Sequence, residues 1–113
     1  MTLEIVTQTF KALSEPVRLR IVHLLLQRDS LCVCDLVETL ELNQSTVSRH
    51  LAYLKNSGLV TSWRDGTWMH YALIPEALQM LNIDVLKQHL ADQLNLDLQK
   101  LQAYEQKPRS CNL

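Results

Sequence analysis

Asn43-Gln44-Ser45-Thr46-Val47-Ser48-Arg49-His50-Leu51, with Leu54-Lys55 and Gly58 behind it, is the stretch on which the fold turns. Val47, Leu51 and Leu54 recur at helical spacing and mark one buried face, which leaves Gln44, Ser45, Ser48 and Arg49 on the other. Asn43 suits the N-cap, because its side-chain oxygen can accept from a backbone N–H left unpaired in the first turn. Gly58 supplies the positive-φ residue that commonly ends a helix.

Downstream of Gly58 the hydrophobic period changes. Val60 to Arg64 and Thr67 to Leu73 are rich in β-branched and aromatic residues, and Asp65-Gly66 between them predicts a hairpin with a two-residue loop. Upstream, Leu36, Val37 and Leu40 predict a short helix from about Cys32 to Leu40, followed by a tight turn from Glu41 to Asn43. Leu3, Val6, Phe10 and Leu13 predict a first amphipathic helix over about 3–13. Glu15-Pro16 then restarts the chain, since proline is tolerated at the first helical position and an acid suits the positive helix end. Val17, Leu19, Ile21, Val22 and Leu24-Leu25-Leu26 make the second helix, and Gln27 to Ser30 is a polar break. Pro75 opens more helix, with a row of Leu78, Leu81, Leu86, Leu90, Leu94, Leu98 and Leu101 and a break near Asn82-Ile83. The expected fold class is mainly α (α+β), a winged helix-turn-helix with a β-hairpin wing. One domain over 1–106 precedes a polar tail over 107–113 that begins Lys107-Pro108-Arg109 and carries Cys111.

The bulk numbers agree with one core. At 113 residues, 47% hydrophobic and 20% charged, the chain has an ordinary globular composition rather than a disordered one. Aliphatic runs such as Leu24-Leu25-Leu26 fall far short of the roughly 20 residues that span a bilayer, so no membrane partner is expected. Glu4 and the lack of an early basic cluster argue against a signal peptide, so a cytoplasmic location is expected. Three cysteines cannot all pair within one monomer, and a reducing compartment disfavours structural disulfides, so the thiols are expected to be available for ligation or redox chemistry. An enzyme is not expected: the sequence shows no paired carboxylates, no nucleophile–base arrangement and no phosphate-cradling glycine loop.

A helix-turn-helix followed by a hairpin implies DNA reading, and the charges agree. The net charge is only −1, yet from Asn43 to Arg64 the charged residues are Arg49, Lys55 and Arg64, all basic. The reading helix must present short polar side chains to base edges and basic ones to phosphates. Gln44, Ser45, Thr46, Ser48, Arg49 and His50 meet that need, with glutamine suited to adenine and arginine to guanine. Arg64, on the wing, is placed for the DNA backbone or an adjacent minor groove. The same pattern also fits an ordinary solvated helix, and His50, between Arg49 and Leu51, also suits a half-buried position.

Several motifs in order resemble the ArsR/SmtB family of bacterial metalloregulatory repressors: Phe10-Lys11-Ala12-Leu13-Ser14-Glu15-Pro16-Val17-Arg18-Leu19-Arg20-Ile21, the Leu31–Leu36 segment, Ser45-Thr46-Val47-Ser48-Arg49-His50-Leu51, Gly58-Leu59-Val60, and Arg64-Asp65-Gly66 followed by Tyr71. The resemblance covers about residues 10–73. It implies a homodimer through the first and last helices, two recognition helices on a palindromic double-stranded operator, and repression relieved by an inducer. The leucine row after Pro75 is a second argument for a dimer, with packing inside the chain as its alternative.

Within that frame Leu31-Cys32-Val33-Cys34-Asp35-Leu36 looks like the arsenite-sensing subgroup. Trivalent arsenic takes soft ligands, thiolates above all. On a regular helix residues i and i+2 point about 200° apart, so both thiols can face one ion only if the first turn is unwound. The resemblance implies arsenite As(III) or antimonite Sb(III) as inducer, with no organic cofactor, and Cys32 and Cys34 as ligands. Val37 stands where another cysteine would complete the set, which leaves Cys111 as the candidate third ligand, or else a spectator thiol. Cys32 and Cys34 as small buried hydrophobes are the bland alternative. A cadmium/lead-sensing pattern would add N-terminal cysteines, and residues 1–31 hold none. A zinc pattern on the last helix is not matched around Asp84, Leu86 and His89; His23, His70 and His89 read as packing or surface residues. Open alternatives are a thiol-redox or other soft-metal repressor of the same fold, and a protein-interaction module that no longer binds DNA.

Overall fold

Three helices begin where a side chain takes up an amide of the first turn. Thr2 accepts from the Ile5 N–H at 3.2 Å, Glu15 from Arg18 at 3.0 Å and Asn43 from Thr46 at 2.8 Å. These caps open α1 (Leu3–Leu13), α2 (Pro16–Leu26) and α4 (Gln44–Asn56) in the computed structural model, which describes residues 2–79 and 91–108. The other described elements are β1 (Leu31–Cys32), α3 (Val33–Leu40), β2 (Val60–Asp65), β3 (Trp68–Leu73), α5 (Pro75–Leu78) and α6 (Ala91–Glu105). The expected winged helix-turn-helix is present: α3 and α4 form the pair, β2 and β3 the wing.

Two local expectations shift. The third helix was expected from about Cys32, but Cys32 lies in strand β1 with extended backbone and only Cys34 is helical. β1 pairs antiparallel with β3, Leu31 opposite Tyr71 and Cys32 opposite His70, giving the sheet order β1-β3-β2. The hairpin loop was expected at Asp65-Gly66, yet Asp65 pairs with Trp68 and the loop is Gly66-Thr67. Gly66 has φ 63°, while Thr67 is not among the positive-φ residues. Positive φ at the first loop position alone is the mark of a type II′ turn, which glycine there supports.

The core is formed by Ile21 and Leu24 of α2, Leu36 of α3, Val47, Leu51 and Leu54 of α4, and Leu59 and Val60 at the base of the wing. Leu101 of α6 is fully buried among them, with Leu98 packed at the edge. α6 is also held by ion pairs: Arg20 donates twice to the buried Asp97 at 2.8 and 2.9 Å, Arg28 twice to Glu105, and Lys100 once to Glu41. The carboxylates hold both Arg20 and Arg28 above the ordinary guanidinium range. The described end of the leucine row therefore packs on its own chain; its middle, Leu81 to Leu90, lies outside the described residues. The most exposed large apolar side chains among the described residues are on α1, where Leu3 is 83% and Phe10 58% exposed, with Trp63 of β2 and Leu96 of α6 less so. No helix among the described residues is long and apolar enough to cross a membrane.

Candidate nucleic-acid interface and thiol site

The reading helix presents its polar face as the spacing required. Gln44, Ser45 and Arg49 are exposed, Thr46, Ser48 and His50 half-buried, and Val47, Leu51 and Leu54 buried. Asn43 anchors the start of the face, accepting from the Ser45 hydroxyl as well as from the Thr46 amide, both at 2.8 Å. Lys55 donates to Ser62 at 2.7 Å and ties the end of α4 to the wing. Arg64 is exposed on β2 near the wing tip. Exposed donors on α4 and on the wing are the arrangement a major groove and its flanking phosphates accept.

The two thiols sit behind this surface at a strand–helix junction. The Cys32 N–H, at the end of β1, donates to Asp35 at 2.8 Å, so the buried carboxylate caps the start of α3. Cys34 follows in the first turn. The 200° conflict expected for two helical thiols does not arise, because Cys32 is not helical. Both side chains are buried, Cys32 at 1% and Cys34 at 5% exposure. The thiols were expected to be available for ligation, yet Cys34 is disulfide-bonded, and its sulfur is no thiolate in that state. Cys111 lies outside the described residues, and among the described ones no three of His, Cys, Asp and Glu cluster as a metal site.

A cavity of about 200 Å3 joins the thiols to the DNA-reading surface. Its walls include Cys32 and Cys34, Gln44 at the start of α4, and Arg64, Trp68 and Met69 of the wing. With Cys34 reduced, two buried sulfur donors at a small cavity would suit a soft ion such as trivalent arsenic or antimony, with at least one further donor to come from elsewhere. The sequence did not single out Asp35, Trp68 or Met69. Asp35, three residues after Cys32, was visible as the acid of a capping-box spacing; Trp68 and Met69 reach the cavity only through strand pairing.

Comparison with known proteins places this geometry. The sequence model of the bacterial regulatory proteins of the arsR family matches residues 15–62. The chain is 48% identical over 68 residues to the arsenical resistance operon repressor of Escherichia coli K12, covering 60% of this chain and 58% of that protein. It is 45% identical over 74 residues to the arsenical resistance operon repressor of Bacillus subtilis 168, covering 66% and 70%. A cadmium resistance transcriptional regulatory protein, CadC, of Listeria innocua is 40% identical over 74 residues, covering 66% and 60%. Thus the chain spans little more than half the length of some curated relatives.

Among solved structures, HlyU of Vibrio cholerae N16961 superposes with a TM-score of 0.69 at 32% identity, covering 79% of this chain and 95% of that one. The AntR antimony-specific transcriptional repressor gives 0.65 at 31% identity, covering 78% and 80%. A homodimeric winged helix-turn-helix DNA-binding domain of Mycobacterium bovis gives 0.66 at 32% identity, covering 80% and 81%.

Proposed function

The chain belongs to the arsR family of bacterial regulatory proteins, and from that membership we propose that it represses an arsenic-resistance operon and leaves its operator when arsenite or antimonite binds its cysteine thiolates. The cavity shared by Cys32, Cys34, Gln44 and Arg64 carries the reading. Two of the side chains assigned to DNA and both ligands line one small space, so occupancy of the thiols is felt at the reading surface without a long relay. The relatives that repress arsenical resistance operons, and the antimony-specific structural neighbour, support a metalloid as the inducer.

The groups on DNA are Gln44, Ser45, Thr46, Ser48, Arg49 and His50 of the reading helix, with Arg64 from the wing. Cys32 and Cys34 supply two thiolates, and Cys111 is the third. A soft ion that draws Cys32 toward Cys34 pulls strand β1, and with it the wing strand β3, against the start of α3. Binding releases DNA only to the extent that the ion prefers that arrangement to the DNA-bound one. The working unit is a homodimer of residues 1–106 with a short tail over 107–113, and the outward Leu3, Ile5 and Phe10 of α1 supply an apolar face for it.

A second reading rests on the disulfide at Cys34. A disulfide sulfur is not a thiolate ligand, so a thiol reductant must open the site before any metalloid enters, and oxidation itself can serve as the signal. Cadmium or lead is the soft-metal variant, supported by the CadC relative. Single Cys32→Ser and Cys34→Ser variants, assayed reduced on labelled upstream DNA, separate these readings. The metalloid reading predicts near-wild-type DNA affinity and no release by arsenite. Continued release from both variants contradicts it, and peroxide-driven release without arsenite, reversed by dithiothreitol, favours the redox reading.

A further inference from the structure

Arg18 lies away from the thiol cavity, and its guanidinium bridges two helices. Its Nε donates to the Ala12 carbonyl at 2.6 Å and its Nη2 reaches the Lys11 carbonyl at 3.4 Å, both in the last turn of α1. Nη1 stands 3.4 Å from Nδ1 of His50, and the guanidinium carbon lies 4.0 Å from the centre of the Tyr53 ring. His50 and Tyr53, three residues apart, share one face of the reading helix. Below them Glu15 accepts from the Arg18 amide at 3.0 Å, and the same carboxylate oxygen is 3.7 Å from His50 Nδ1.

We propose that Arg18 is a positioning residue of the DNA-reading helix, fixing His50 and Tyr53 of α4 on the carbonyls that end α1. This goes beyond the inducer assignment and needs no metalloid. A guanidinium can only donate, so it can offer an N–H to Nδ1 of His50 while its other N–H groups hold the α1 carbonyls. Arg18 thereby sets the seat of a side chain on the reading helix. His50 is only 12% exposed at its side chain, which matches a residue held from behind. Lysine cannot replace this arrangement, since the planar fork bonds two carbonyls and a ring nitrogen while its face covers an aromatic ring. A plain capping role for α1 would need neither His50 nor Tyr53.

The test is binding of the full-length, reduced chain to fluorescein-labelled duplex from its own upstream region at several salt concentrations. Arg18→Met should weaken binding about ten-fold at every salt concentration and leave the slope of log affinity against log salt unchanged, because Arg18 neutralises no phosphate. Arg49→Ala should instead make that slope shallower by about one. Arg18→Lys should behave like Arg18→Met, and adding His50→Leu to Arg18→Met should cost nothing more, as expected of coupled groups. Unchanged affinity in Arg18→Met, a slope shallower by about one, full rescue by lysine, or additive losses would each overturn the proposal. If circular dichroism shows Arg18→Met unfolded, Arg18→Lys and His50→Leu decide: both must weaken binding at constant slope. A wild-type chain that ignores the duplex contradicts the DNA assignment itself, and this proposal with it.

Discussion

Thr39 is 1% exposed, and its hydroxyl has no hydrogen-bond partner among the described residues. Burying an unmatched hydroxyl costs free energy, and valine keeps the shape without the polar atom. Thr39→Val should therefore leave stability unchanged or raise it by about 1 kcal/mol in urea unfolding; a clear loss would contradict the packing described. Tyr71 points the other way: burial pushes its phenol above the ordinary 10.0. With the folded value raised, its contribution to stability is complete below about pH 10 and is lost as the pH rises through the folded value. Tyr71→Phe should flatten the alkaline fall in stability, and an unchanged alkaline limb would contradict that burial. At this scale the sequence was a good guide to side chains whose place follows from periodicity: Val47, Leu51 and Leu54 went inward, Gln44, Ser45 and Arg49 outward. It was a poor guide to Trp68, Met69 and Asp35, whose surroundings come from other segments.

Elements with a local cause were legible. α1 follows from the spacing of Leu3, Val6, Phe10 and Leu13, the starts of α2 and α4 from Glu15-Pro16 and Asn43, and the wing from a change in period after Gly58. β1 was not legible, because two residues carry no period and their partner strand lies across the whole helix-turn-helix. The hairpin moved by one residue because Gly66 takes the first loop position, and Gly66→Ala, at φ 63°, should cost about 1 kcal/mol or more. The leucine row was read in part as a dimer seam, whereas Leu101 belongs to the chain's own core and α6 is fastened by Asp97. Asp97→Ala should destabilise by about 3 kcal/mol, since it strands Arg20 beside a buried gap, while Arg20→Met with Asp97→Leu should recover most of that loss. Equilibrium unfolding of the single and double variants checks both; a mild single variant would mean that α6 is not held this way.

For the whole molecule, the proposed DNA-reading and thiol sites adjoin at one cavity, and the apolar side chains proposed for self-association are on α1. α4 and the wing face outward for DNA, the strand–helix junction behind them holds the thiols, and α1 turns Leu3 and Phe10 to solvent. If that last face joins two copies, Phe10→Glu should shift sedimentation from dimer to monomer and weaken operator binding, because two half-sites then no longer bind together. A dimer that survives Phe10→Glu places the interface elsewhere. The central claim, that a soft metalloid at the thiols unseats the DNA-reading surface, is tested most directly by fluorescence anisotropy of the reduced chain on its own upstream duplex, titrated with arsenite and, separately, with zinc. The account predicts release by arsenite and none by zinc; a complex that holds through arsenite, or one that zinc releases equally well, would contradict it.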